Sequence, residues 1–214
     1  MINSLNRLDD KRALQNVFVL AFAQATLGAQ LPMVFILGGL AGHFLSTKSC
    51  LATLPVSMTI IGSTITAPFL SIFMQKYGRR IGFVVGTLHG GVGAAICSYG
   101  IFKNSFVLFL LGSLITGVYM ASYGFYRFAA ADTARLEFRP KAISYVVAAG
   151  LVSAILGPQM VKLTLNQSVY PFLGSYIAIV VLNLLGLFIF LFLDIPVQKS
   201  PKKTFDRTRT VSQL

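Results

Sequence analysis

Charged side chains are what this chain has least of: 11% of its 214 residues are Asp, Glu, Lys or Arg, and only six of those are acidic. A soluble domain of this length carries roughly a quarter charged residues. With 55% apolar residues and a mean hydropathy of +0.75, too little polar surface remains to cover a water-exposed globule. The six acids are Asp9, Asp10, Asp132, Glu137, Asp194 and Asp206, and none lies within a long apolar run. No intramembrane carboxylate is therefore available as a proton carrier. Cysteine is nearly absent too. Cys50 and Cys97 have no second Cys or His at ligand spacing, which excludes a disulfide framework and a Cys/His metal site and leaves both as small apolar residues. The sequence contains no Gly-x-Ser-x-Gly elbow and no His-Glu-x-x-His helix, so neither an enzyme nor a bound cofactor is expected.

What the chain does have is six long apolar runs, over residues 17–41, 51–73, 81–102, 106–131, 142–161 and 171–193. Each meets the requirement of about 20 apolar residues for crossing a bilayer. Their hydrophobicity is continuous rather than alternating, which predicts helices and not barrel strands. Fifteen of the eighteen Lys and Arg residues then fall on one face, with only Lys48, Lys103 and Lys162 on the other. Basic residues beside spans are retained in the cytoplasm, so both termini are expected inside, in the inner (plasma) membrane of a bacterial-type cell. The net charge of +12 is spread over four short segments, each beside an apolar run; that is the signature of topology and lipid contact, and nucleic acid is not expected as a partner. Three regions result: an amphipathic cytoplasmic lead over 1–14, a bundle over 15–195 and a basic tail over 196–214. The first apolar run, about 25 residues, is too long for the core of a cleaved signal peptide.

Small residues four apart, Gly38 and Gly42, Gly86 and Gly90, Gly90 and Ala94, and Ser153 and Gly157, predict close helix contacts. Pro32, Pro55, Pro68 and Pro158 predict kinks or helix edges. At about 1.5 Å rise per residue, Gln24, His89 and Asn183 come out near the bilayer midplane, where polar groups are expensive. His89 is the one imidazole at that depth. Arg127 and Asp132, five apart at the inner end of the fourth run, are candidates for a cytoplasmic salt-bridge network that gates.

The segment between the second and third runs reads Ser71-Ile72-Phe73-Met74-Gln75-Lys76-Tyr77-Gly78-Arg79-Arg80. Gly78 permits a tight reversal between antiparallel helices, and Arg79 and Arg80 anchor it at anionic headgroups. The stretch resembles the loop G-x-L-A-D-R-x-G-R-R/K of the major facilitator superfamily. Gly78, Arg79 and Arg80 match, Lys76 stands for the arginine, Gln75 replaces the aspartate and Ser71 the leading glycine. Ala23-Gln24-Ala25 followed by Pro32 and Gly38-Gly39-Leu40 is similar to the first span of bacterial drug- and metabolite-type members. The stretches 126–132 and 138–144 are similar to their four-five junction. Gly157-Pro158, with Ser153 in place of the first glycine, resembles their span-five kink motif.

The resemblance implies an all-α membrane protein whose six transmembrane helices form one half of that fold, two inverted three-helix repeats. It implies transport of a small-molecule substrate through a site between two such halves. The second half is expected from a split gene's C-terminal partner or from a homodimer; a truncated, non-transporting remnant or membrane interaction protein is the alternative. Because the family arranges spans one, two, four and five around its cavity, Gln24, Gln30, Tyr119 and Tyr123 are the pathway candidates. His89 and Asn183 are expected to hydrogen-bond between helices.

Overall fold

The computed structural model describes residues 2–46, 48–165 and 167–195, with side chains from residue 13 onward. The tail over 196–214 lies outside the described residues. All regular structure in them is helical: α1 (Ile2–Thr26), α2 (Gln30–Leu45), α3 (Leu54–Tyr77), α4 (Arg79–Phe102), α5 (Phe106–Gly124), α6 (Tyr126–Thr133), α7 (Arg139–Thr164) and α8 (Leu173–Leu191). They build six membrane-length spans: Ala13–Leu45, Ser49–Tyr77, Arg79–Phe102, Phe106–Thr133, Arg139–Thr164 and Leu173–Leu191. The lead expected over 1–14 is not a separate element, because α1 runs from Ile2 straight into span one.

Two spans are interrupted. Span one breaks between α1 and α2 at a 3-10 turn, Leu27–Ala29. Pro32 has no N–H to offer the carbonyl four residues back and its ring crowds that turn, so the helix tightens just before the proline. Span four breaks at Phe125, between α5 and α6. Spans one and four are equivalent under the inverted repeat, so the two interruptions occupy corresponding members of the two repeats. Pro68 and Pro158 sit inside α3 and α7, while Pro55 opens α3 and Pro140 opens α7.

Packing follows the small residues. A Cβ on Gly93 would lie 2.8 Å from the Gly112 carbonyl oxygen, and one on Gly112 would lie 2.7 Å from the Cys97 nitrogen, so the α4 and α5 backbones touch. Gly157 brings α7 against Ala29 and Pro32 at the span-one break, and Gly90 brings α4 against Asn183 and Tyr119. Two buried clusters fill the bundle. One gathers Val17, Leu20, Leu70, Met74, Phe83, Tyr126 and Phe190 toward the Gly78 end, and the other Met33, Leu37, Ala94, Cys97, Phe109, Tyr176 and Ile179 toward the opposite end. Burial is uneven among the spans. Within the apolar core of each span, only 17% of span two and 22% of span five is buried, against 33% to 44% for the other four, so these two helices carry the least covered flanks of the bundle.

Candidate functional site

The two interrupted spans meet. Tyr119 on α5 donates its hydroxyl to the Leu27 carbonyl at 2.7 Å, attaching span four to the irregular turn of span one. One helical turn further, the Gln24 amide nitrogen donates to the Tyr123 hydroxyl oxygen at 2.6 Å. Gln24 is 9% exposed, and its Oε1 has no hydrogen-bond partner among the described residues. Span five closes the third side. A Cβ on Gly150 would stand 3.3 Å from Gln24 Nε2, so the bare backbone there lets span five approach the buried amide closely. The result is a cleft of about 370 Å³ lined by Gln24, Tyr123, Gly124, Arg127, Val147, Gly150 and Leu151. An amide and a phenol meet in it and Arg127 lines it, while its remaining walls are apolar or bare backbone. Such a surface offers hydrogen bonds of both senses and an aromatic face to a small solute.

The candidates from the sequence separate into distinct places. Gln24 and Tyr123 line the cleft, whereas Gln30 and Tyr119 are wholly buried inside the bundle and do not line it. Tyr119 and Tyr123 share a side of α5, but the break of span one lies over Tyr119 and takes its hydroxyl. Gln30 instead accepts a hydrogen bond from Asn183 Nδ2 at 2.8 Å, which joins spans one and six. Asn183 thus acts between helices. His89 does not: its imidazole is exposed on α4, with Nδ1 2.8 Å from the Val85 carbonyl of its own helix. The glycines beside it, Gly90 and Gly91, are the residues that face Asn183, so the histidine points the other way.

The loop between spans two and three is built around Gly78, whose φ of 96° and ψ of 156° lie in a region open essentially to glycine alone. Its tight reversal places Arg79 at the start of α4 facing the end of span four. There Arg79 Nε and Nη2 donate to Asp132 Oδ2 at 3.0 and 2.7 Å, with both side chains about a quarter to a third exposed. The Arg79 guanidinium also lies 5.8 Å from the Phe125 ring, at the span-four break. Gln75, Lys76 and Arg80 are on the exposed sides of the loop, with the Lys76 amine over the Tyr77 ring.

This corrects the gate expected from Arg127 with Asp132. Five residues on a helix are separated by about 140° around its axis, so the two side chains diverge. Asp132 takes Arg79, while the Arg127 guanidinium lies 4.9 Å from the Phe128 ring and Arg127 is among the residues that line the cleft. Arg127 therefore joins the pathway candidates, and Arg79 joins Asp132. Sequence spacing held no signal for either; the depth of Arg127, at the same end as Tyr123, was the available hint. At the span-five kink, Gly157 packs on Ala29 and Pro32, and Pro158 follows it inside α7.

Comparison with known proteins places this arrangement. The sequence profile of the Major Facilitator Superfamily matches residues 16–213. The riboflavin transporter RfnT of Brucella anthropi is 38% identical over 210 residues, covering 96% of this chain and 52% of that protein. Two uncharacterized MFS-type transporters of Bacillus subtilis, YddS and YdeG, are 31% and 29% identical over 67% and 69% of this chain, and over 33% and 34% of their own lengths. The chain spans about half the length or less of these relatives. With a family match over nearly its whole length and six helices fit to cross a bilayer, this multi-pass membrane protein belongs to the Major Facilitator Superfamily of transporters.

Proposed function

We propose that the chain is the solute-binding N-terminal half of a secondary transporter, and that its substrate is riboflavin or a similarly planar heteroaromatic compound. The observation that carries this reading is the cleft at the paired interruptions of spans one and four. Broken helices in corresponding positions are the usual sites of substrate contact in repeat-built transporters. The Gln24 amide, whose buried Oε1 has no partner among the described residues, turns toward the cleft to accept from a ring N–H, Arg127 donates to a ring carbonyl and Tyr123 offers an aromatic surface. The 38% identity to a riboflavin transporter, extending over almost all of this chain, favours that solute over others.

The flanks of spans two and five supply the contact surface for a second half, provided by a C-terminal partner in preference to a second copy of this chain. The Arg79–Asp132 pair holds the reversal at Gly78 against the end of span four, so that rocking of the half carries the cleft with it. By the distribution of Lys and Arg, that reversal and both termini are cytoplasmic, in the plasma membrane.

The test is uptake. The chain is co-expressed with the remaining half of the Brucella anthropi riboflavin transporter in a riboflavin-requiring strain that lacks its own importer, and insertion is verified from the membrane fraction. Growth at low riboflavin is expected, and Gln24→Leu should abolish it without reducing the amount inserted. Correctly inserted chain that supports no uptake, with growth equally indifferent to Gln24, overturns the proposal and favours a non-transporting membrane protein.

A further inference from the structure

We infer that the outer wall of the bundle carries a binding groove for an anionic phospholipid, between spans three and four at the end remote from Gly78. The groove is a consequence of glycine packing. A Cβ on Gly100 would lie 2.8 Å from the Phe109 nitrogen, and Gly93 and Gly112 meet in the same way further along, so α4 and α5 are pressed together along one line. Their lipid-side flanks diverge from that line and leave a trough of about 540 Å³. Val92, Ala95, Ile96, Tyr99, Leu108 and Leu111 line it, and Ala95, small and exposed, gives it depth. Tyr99 and Val92 remain 54% and 52% exposed, because no other element among the described residues crosses this flank. A trough of this composition in a bilayer takes an acyl chain.

The headgroup is specified at its mouth. Lys103 occupies the turn directly after α4, where the chain leaves the apolar layer, and its amine stands 5.9 Å from the ring centroid of Tyr99 and 5.6 Å from that of Phe102. The amine is thus held above the very ring that lines the trough, at the level a lipid phosphate occupies. All six acidic residues of the chain belong to the opposite face by topology, so nothing acidic in this sequence competes for that phosphate. An apolar slot joined to one cation is the two-part combination that holds a lipid in place, where either element alone holds it weakly. A second copy of the chain is disfavoured as the occupant, because a two-fold contact centred here would bring two Lys103 amines together. The inverted repeat supplies a counterpart trough of about 700 Å³ between α1 and α8 at the other end, lined by Phe18, Phe22, Leu185 and Phe188. No cation lines that one among the described side chains, so the headgroup preference is assigned to the Lys103 trough alone.

The experiment is native mass spectrometry of the full chain, purified in mild detergent and offered phosphatidylglycerol or phosphatidylcholine, with helical circular dichroism recorded for each variant. One phosphatidylglycerol is expected to be retained in preference to phosphatidylcholine. Lys103→Gln should lower that preference about fivefold, the worth of one lysine at an anionic surface. Ala95→Trp, which fills the trough, should remove the preference for phosphatidylglycerol, while Lys48→Gln, on another turn of the same face, should change nothing. Equal retention by wild type and Lys103→Gln, an unchanged phosphatidylglycerol preference in Ala95→Trp, or a protein dimer in place of the lipid complex overturns the inference.

Discussion

Replacing Asn183 by Leu, which has nearly the same branched shape, tests the buried amide pair between spans one and six with little change of volume. Asn183 and Gln30 are 2% and 0% exposed, and a single hydrogen bond of 2.8 Å joins them. Gln30 Nε2 has no other partner among the described residues, so Asn183→Leu leaves the entire Gln30 amide without one in an apolar interior. An orphaned buried amide costs about 1–3 kcal/mol in water-soluble proteins, and interhelical bonds in membranes average near 0.6 kcal/mol with a ceiling of about 1.7. We expect about 1–1.5 kcal/mol for Asn183→Leu, where the two ranges overlap. Gln30→Met should cost less, about 0.5 kcal/mol, because Asn183 Nδ2 keeps its bond to the Ile179 carbonyl at 2.8 Å. The double variant removes both amides and should lie within about 0.5 kcal/mol of wild type, well below the sum of the singles. Unfolding in mixed micelles, titrated with sodium dodecyl sulfate and followed by far-ultraviolet circular dichroism, reads all three; the chain has no tryptophan to report by fluorescence. Strict additivity, or a larger loss from Gln30→Met than from Asn183→Leu, refutes the reasoning.

Three further outcomes follow from the geometry, each read by thermal unfolding in detergent. Gly78→Ala forces a Cβ into a backbone region reserved for glycine and should cost about 1–3 kcal/mol through backbone strain alone. Exchanging the charges of Arg79 and Asp132 should recover most of what either single reversal loses, whereas reversing Arg127 together with Asp132 should recover nothing, because those two side chains diverge; equal recovery in both pairs contradicts the pairing. Gly112→Val drives a side chain into the Cys97 backbone and should cost about 1–3 kcal/mol, while Gly39→Val, with nothing within 4 Å of its Cβ, should fall within about 0.5 kcal/mol of wild type.

The helices and their number were legible because lipid imposes one rule on every span: continuous apolarity for about 20 residues. Small residues four apart marked real contacts for the same reason, since only they allow backbones to touch. Side-chain partnership was harder to read. Depth along a span follows from counting residues, but direction around it depends on where the helix breaks, and the turn at Leu27–Ala29 and the break at Phe125 reset the angular phase of everything beyond them. Gln30 was thereby turned into the bundle and Arg127 toward the cleft, while Tyr119, which precedes the second break, is covered by the turn at Leu27–Ala29. His89 illustrates the other limit. Counting put it at the midplane, but the two glycines that follow it were the stronger signal, because they mark the side of α4 that packs and so leave the imidazole outside.

That phase information also bears on what the cleft must face. Hydrocarbon cannot solvate a guanidinium, and polar groups within a span line water-filled cavities or protein interfaces. The cleft that Arg127, Tyr123 and Gln24 line is bounded by span five, whose helix is among the least buried of the six. The Lys103 trough, by contrast, presents only apolar side chains and a phenol. One wall of the bundle is therefore chemically suited to acyl chains and another is not. The wall that is not suited to them is the one where the interrupted spans converge, which is where a second half with an aqueous cavity between the two would relieve the cost of the exposed polar groups. The same polarity that makes the cleft a candidate for solute also disqualifies it as a lipid-facing surface, so the proposal of a partner half and the proposal of a solute site rest on one physical cost.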